Sequence, residues 1–213
     1  MAQFLNYIDH LQEAEGGYVF NKKDPGGHTN KGVTLRIFKA VYGAQQTVED
    51  LKRITTDQVH KIYRSLFWDV VKGDKIQSQP VANTIFDFAV NAAPSKAIKL
   101  VQYLLNKTTA AKLVVNGVMN ERTLQVLNGV NSERFFGNYN NLRKVYYTFR
   151  AAKLPTSHPD YRFISTLTKP KKSQSTFLEG WKNRVDKIGS LFKNLFAEEK
   201  KNSTGSGRSP QYG

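Results

Sequence analysis

Apolar positions recur along this chain mostly at the helical period. Phe4, Ile8 and Leu11 fall at i, i+4, i+7, and Gly16-Gly17 supplies a stop. Thr55 with Gln58 three residues on has the form of a capping box. It predicts a helix with Val59, Ile62, Tyr63, Leu66 and Val70 on one face. Val81, Ile85, Phe88 and Ala92 repeat the period until Pro94, and Ala97, Val101, Leu104 and Leu105 form the next stripe. Asn120 is placed to cap a short helix through Leu124 and Leu127. Ser132 opens a long helix carrying Phe135, Phe136, Tyr139, Leu142, Tyr146 and Phe149. A Pro-marked basic connector (Pro155, Pro159, Pro170, Lys171, Lys172) leads to a last amphipathic helix with Phe177, Trp181, Val185, Ile188, Leu191, Phe192 and Leu195. Strand signals are poor. Residues 18–34, with Gly26, Gly27 and Gly32 among Asp, Asn and Thr, predict a loop or a small irregular hairpin. The expected fold is therefore mainly α, a helical bundle with a small Gly-rich loop or hairpin region near the N-terminus.

Composition narrows the chemistry. With 213 residues, 39% hydrophobic and 12% aromatic, the chain can bury a core, so wholesale disorder is excluded. The absence of Cys excludes disulfides, thiolate zinc sites and cysteine nucleophiles. His10, His28, His60 and His158 are scattered without metal-ligand spacing, so neither a metal nor a cofactor is expected. No run approaches the roughly 18 apolar residues of a membrane helix. The opening residues, with Asp9 among them and no basic start, do not read as a secretory signal. The net charge is +15, yet residues 1–50 carry 5 Lys/Arg against 6 Asp/Glu, so the excess lies beyond them. A basic body suits a polyanionic partner such as nucleic acid, an anionic membrane surface or a bacterial wall or outer-membrane polymer, or serves solubility alone, and charge by itself does not choose among these.

Glu15 lies eleven residues beyond Phe4, within about 20° of the same helical face. The stripe that buries Phe4, Ile8 and Leu11 thus directs a carboxyl inward, where desolvation raises its pKa toward that of a general acid. The alternative is a fraying last turn with Glu15 in solvent, and this residue by itself favours that alternative. Asp24-Pro25-Gly26-Gly27 is read either as an ordinary turn or as a return loop bringing a second carboxylate back to the helix end. Such a carboxylate would hold a water or stabilise positive charge on a sugar ring, and the Thr29 hydroxyl would orient that water.

Glu15-Gly16-Gly17-Tyr18 followed by Asp24-Pro25-Gly26-Gly27-His28-Thr29-Asn30-Lys31-Gly32-Val33-Thr34 resembles the signature of glycoside hydrolase family 108, the peptidoglycan N-acetylmuramidases. Ile62-Tyr63-Arg64 with Phe67-Trp68, Phe86-Asp87 with Ala89-Val90-Asn91, Gln102, and Gly180-Trp181 with Arg184-Val185 extend the likeness to about residue 190. The resemblance implies a lysozyme-like, α+β but mainly helical fold with Glu15 as catalytic acid. The order Glu15, eight residues, Asp24, four more, Thr29 is similar to phage-type lysozymes, with the Thr one position closer, and extends the catalytic set to Asp24 and Thr29. Tyr18, His28, Asn30 and Asn91 are the candidates for holding substrate. Trp68 and Trp181 sit on apolar stripes and read as core; Asp87 reads as core hydrogen bonding or as part of the cleft. Residues 113–128 resemble a peptidoglycan-binding segment, with Asn116-Gly117 in place of its opening Asp-Gly and Asn120-Glu121 where Gly-Pro is usual; they read as scaffold before binding module.

The expected organisation is a catalytic region over 1–92, a helical region over 93–197 packed on it as one globule, and a disordered tail over 198–213. The expected activity is hydrolysis of the β-1,4 bond between N-acetylmuramic acid and N-acetylglucosamine by a monomer acting on bacterial peptidoglycan, with no specific nucleic acid. The expected setting is a phage endolysin that accumulates in the host cytoplasm before reaching the wall. A lytic transglycosylase on the same scaffold and a non-catalytic basic binding protein are the alternatives.

Overall fold

The computed structural model describes residues 1–6, 8, 17–20 and 27–205. Three short strands, β1 (Val19–Phe20), β2 (His28–Asn30) and β3 (Val33–Thr34), form an antiparallel sheet in the order β1-β2-β3. Lys31 and Gly32, both with positive φ (47° and 74°), make the two-residue turn from β2 to β3. That is the turn geometry whose twist matches paired strands. The sheet is the small hairpin region expected near the N-terminus, extended by one strand.

Helices then succeed one another without interruption by further sheet: α1 (Leu35–Tyr42), α2 (Val48–Lys52), α3 (Thr56–Tyr63), α4 (Gln79–Ala92), α5 (Pro94–Thr108), α6 (Glu121–Gly129), α7 (Ser132–Arg150), α8 (Tyr161–Leu167) and α9 (Leu178–Gly205). The architecture is thus mainly α. Local chemistry starts several of them. Thr55 and Gln58 form the reciprocal capping box on α3, as do Thr47 and Asp50 on α2. Asn120 caps α6 by accepting from Thr123 N. The cap of α7 is Asn131, one residue ahead of Ser132, accepting from Arg134 N.

The end of α3 departs from the sequence pattern. Residues Arg64–Trp68 widen into a π-helical turn, with Asp69 N donating to Arg64 O across five residues at 2.9 Å. The extra residue in the turn rotates the chain beyond it about the helix axis. Val70, expected on the apolar face, is 46% exposed, and Trp68 and Val71 take the buried places. The Trp68 ring packs edge-on against Phe4 and Phe86, 5.8 and 5.5 Å between centroids, and its Nε1 donates to Asp74. The first residues are pinned to the same core, since Ala2 N donates to Ile76 O at 2.9 Å.

α4 is the centre of the molecule. It is buried on nearly every side, and α5, α7 and α9 pack around it. Pro94 ends the α4 period by starting α5 at once, with Ala93 between them at φ 104°, ψ 146°. Of the predicted apolar stripe on α9, Val185, Ile188 and Phe192 are buried; Leu191 is exposed, as is Phe177 just ahead of the helix. The helix continues to Gly205, past the boundary at 198 set by composition. Tertiary contact reaches as far as Glu199: Phe196 packs on Phe136, and Glu199 accepts from Gln79 N and Ser78 Oγ at the start of α4. That carboxylate caps a helix whose own N-cap residue supplies no side-chain bond.

Candidate functional site

Register divides the hairpin into two faces. Phe20 stands opposite His28 and Asn30 opposite Val33, while Thr29 pairs with both Val19 and Thr34. Successive residues of a strand point to opposite sides. His28 and Asn30 therefore share one face with Phe20, and Thr29 points to the other.

The His28 face carries a polar-aromatic cluster. The His28 ring stacks on Phe20 with centroids 4.4 Å apart and planes at 19°. Tyr18 Oη and His28 Nδ1 are 2.6 Å apart, in a hydrogen bond whose direction the imidazole tautomer sets. Lys52 at the end of α2 places Nζ 5.1 Å from the centre of the Tyr18 ring. Tyr18 and Phe20 remain exposed, while His28 is half-buried. Flat ring faces edged by a hydroxyl, an imidazole and an ammonium present both apolar and hydrogen-bonding surface to a ligand.

Asn30 has a different task. It is buried, and its Nδ2 donates to Leu51 O and Lys52 O, both at 3.0 Å. Both bonds reach carbonyls of the last turn of α2. Asn30 joins the hairpin to α2 through these bonds. Thr29, half-buried, cannot share a surface with the His28 ring while the strand stays regular. Asn91 is exposed on the last turn of α4, its Nδ2 bonded back to Asp87 O at 2.8 Å. Glu15 and Asp24, the expected catalytic carboxylates, lie outside the described residues. The structure thus brings Tyr18 and His28 together and adds Phe20 and Lys52. Phe20 was within reach of sequence reasoning, because it follows Tyr18 by two in an extended strand. Lys52 was not, because only the docking of α2 brings it near.

Asp87 belongs to the core. Its carboxylate receives Arg143 Nη2 on one oxygen, and Arg184 Nε and Nη2 on the other at 3.0 and 2.8 Å. Both Asp87 and Arg143 side chains are 0% exposed. Arg143 Nη1 also donates to Thr84 Oγ1 at 2.7 Å and Asn140 Oδ1 at 3.1 Å. Burial in this region pushes the Tyr139 and Tyr147 hydroxyls well above their ordinary pKa. Trp68 is core, and Trp181 is half-buried, its ring stacked on Tyr147 at 5.1 Å.

Among the described residues no cluster of three or more His, Asp or Glu is arranged to hold a metal ion, and no helix is long and apolar enough to cross a membrane. A cavity of about 430 Å³ opens elsewhere, between Gln77 and Ser78 before α4, Asn128 and Glu133 around the α6–α7 connection, and Phe196 and Glu199 of α9. None of the hairpin residues lines it.

The molecule has known counterparts. A solved structure of SagA from Brucella abortus aligns with a TM-score of 0.67 at 27% identity, covering 88% of this chain and 92% of that one. No curated protein sequence matches the chain. The family model described as Glycosyl hydrolase 108 matches residues 8–92, the span that contains the hairpin, α1 to α4 and every expected site residue. Over residues 8–92 the chain is thus similar to the glycosyl hydrolase 108 family.

Proposed function

We propose that the protein is a peptidoglycan hydrolase of the N-acetylmuramidase type, cleaving the β-1,4 bond between N-acetylmuramic acid and N-acetylglucosamine. The observation that carries this reading is the family match over residues 8–92, centred on a hairpin whose exposed face joins Tyr18, Phe20 and His28. In this reading Glu15, immediately ahead of that hairpin in the chain, protonates the leaving oxygen. Asp24, in the β1–β2 connection, positions a water or shields the oxocarbenium-like state, helped by Thr29. Tyr18 and His28 hold the sugar beside the scissile bond, and Asn91 at the end of α4 is a further substrate contact in this reading. Clustered positive charge beyond residue 50 retains the enzyme on anionic wall polymer. The setting we favour is lysis of a bacterial host by a phage endolysin.

Loss of turbidity from a suspension of purified peptidoglycan tests the activity. Glu15→Gln is expected to slow clearance by orders of magnitude while the thermal midpoint stays near that of the parent protein. A variant that still clears the suspension would remove Glu15 from the mechanism. Mass spectrometry of the released fragments separates hydrolysis from transglycosylation, because reducing muramic acid ends mark the first and anhydro ends the second.

A further inference from the structure

The segment between α5 and α6 holds apolar side chains in water on a rigid framework. Val114, Val115 and Val118 are 73%, 37% and 58% exposed, whereas Leu113 and Met119 at either end are buried. Gln102 of α5, itself fully buried, organises the loop: its Oε1 accepts from Gly117 N at 2.9 Å, and its Nε2 donates to Val118 O at 3.0 Å and Asn116 Oδ1 at 3.1 Å. Asn106 binds both backbone groups of Leu113, at 2.6 and 2.8 Å. Asn116 N and Asn120 N close on Val114 O and Val118 O, each at 3.0 Å. A buried amide network thus satisfies much of the loop backbone and points three valines outward. A floppy surface loop gains nothing from such a network. An apolar knuckle with part of its backbone already paired enters a low-dielectric interface at lower cost than a loop with none.

Cations flank this knuckle in the chain, and one lies beside it in space. Lys112 is exposed at its start, and Lys99 Cε lies 3.3 Å from where a Cβ on Gly117 would sit. Arg122 lies in the first turn of α6. Between residues 93 and 128 there are five Lys/Arg and a single acid, Glu121, which is itself bridged by Lys72 and Lys75 at 2.9 and 3.0 Å. Apolar side chains at a tip, with ammonium groups behind them, match the layering of an anionic lipid surface, where acyl chains lie beneath negative headgroups. Nucleic acid bases and sugar rings ask for flat stacking partners, which valines do not offer. A second copy of this patch would bring like charges together.

We propose that the Lys112–Val118 knuckle is a docking point for anionic lipid bilayers, with Val114, Val115 and Val118 entering the interface and Lys99, Lys112 and Arg122 meeting headgroup phosphates. The full-length protein is sedimented with vesicles of phosphatidylglycerol in phosphatidylcholine and with pure phosphatidylcholine, a readout independent of wall hydrolysis. Binding is expected to the anionic vesicles alone. The V114S/V118S variant should bind about tenfold or more weakly with its thermal midpoint retained, and V114L/V118L at least as tightly as the parent. Equal binding by the serine variant would assign the attraction to general charge and overturn the proposal, as would weaker binding by the leucine variant. A serine defect seen with purified peptidoglycan or in self-association, but not with vesicles, would equally overturn it in favour of those partners.

Discussion

At the scale of single residues, two departures from local preference stand out. Ala93 occupies φ 104°, ψ 146°, a region that glycine enters freely and other residues enter at a cost of about 1–3 kcal/mol. It sits where α4 stops and Pro94 starts α5, so packing of both helices enforces it. Ala93→Gly should therefore stabilise the protein, by about 1 kcal/mol after the greater unfolded-state entropy of glycine is counted. Urea denaturation checks this, and a lower midpoint would show that the methyl group contributes more than the strain costs. The second is Asn30, a buried amide in a Gly-rich loop whose Nδ2 donates to Leu51 O and Lys52 O of α2. Sequence shows that an amide is present. It does not show which carbonyls lie within 3.0 Å of it.

At the scale of elements, buried ionic groups hold helices to one another. Asp87 on α4 gathers Arg143 from α7 and Arg184 from α9. Asp87→Asn keeps the shape of the side chain but leaves the buried Arg143 charge without its carboxylate. A loss of about 3–5 kcal/mol is expected, read as a lowered urea midpoint. A loss below about 1 kcal/mol would mean that Asp87 and Arg143 are not a buried pair. A second junction ties α5 to the start of α8, where Tyr103 Oη and Lys107 Nζ meet Asp160 Oδ1 at 2.7 and 2.6 Å. Burial works to raise the Asp160 pKa, but the hydrogen bonds from Lys107 and Tyr103 and the Lys107 charge outweigh it, so the carboxyl lies below its ordinary value. A depressed carboxyl stabilises the fold above its unfolded pKa, about 3.9, and that contribution disappears as pH falls through the lower folded value. The difference in stability between the parent and Asp160→Asn should accordingly be constant at neutral pH and shrink below about pH 4. Urea midpoints measured from about pH 7 down to about 2.5 would contradict this if the difference stayed flat or grew with acid.

At the scale of the whole molecule, charge and topology act together. The +15 net charge resides almost entirely beyond the hairpin that carries Tyr18, His28 and Thr29. If that charge holds the enzyme on anionic wall polymer, clearance of a peptidoglycan suspension should slow as ionic strength rises at fixed pH, because screening shortens the reach of exposed lysines to about 8 Å at physiological salt. A rate indifferent to salt would leave the charge as solubility alone.

Much of this fold was legible in the sequence because its signals are local. Thr55 with Gln58 and Asn120 with Thr123 cap helices within four residues of chain, and the stripe from Phe135 to Phe149 needs only the 3.6-residue period to turn inward. The Gly-rich span before Leu35 likewise announced a turn-bearing hairpin, and the ordered motif from Glu15 to Thr34 pointed to the family. Tertiary structure decided what depends on partners distant in the chain. A π-turn exchanged Val70 for Val71 on the buried face, beyond a Trp68 ring packed against Phe4 and Phe86. Glu199 carried α9 beyond its compositional end by capping α4, 120 residues away. Docking of α2 set Lys52 over Tyr18, and strand register turned Thr29 away from His28. Capping and periodicity are properties of a short stretch of backbone, whereas these last contacts exist only once separate stretches have packed together.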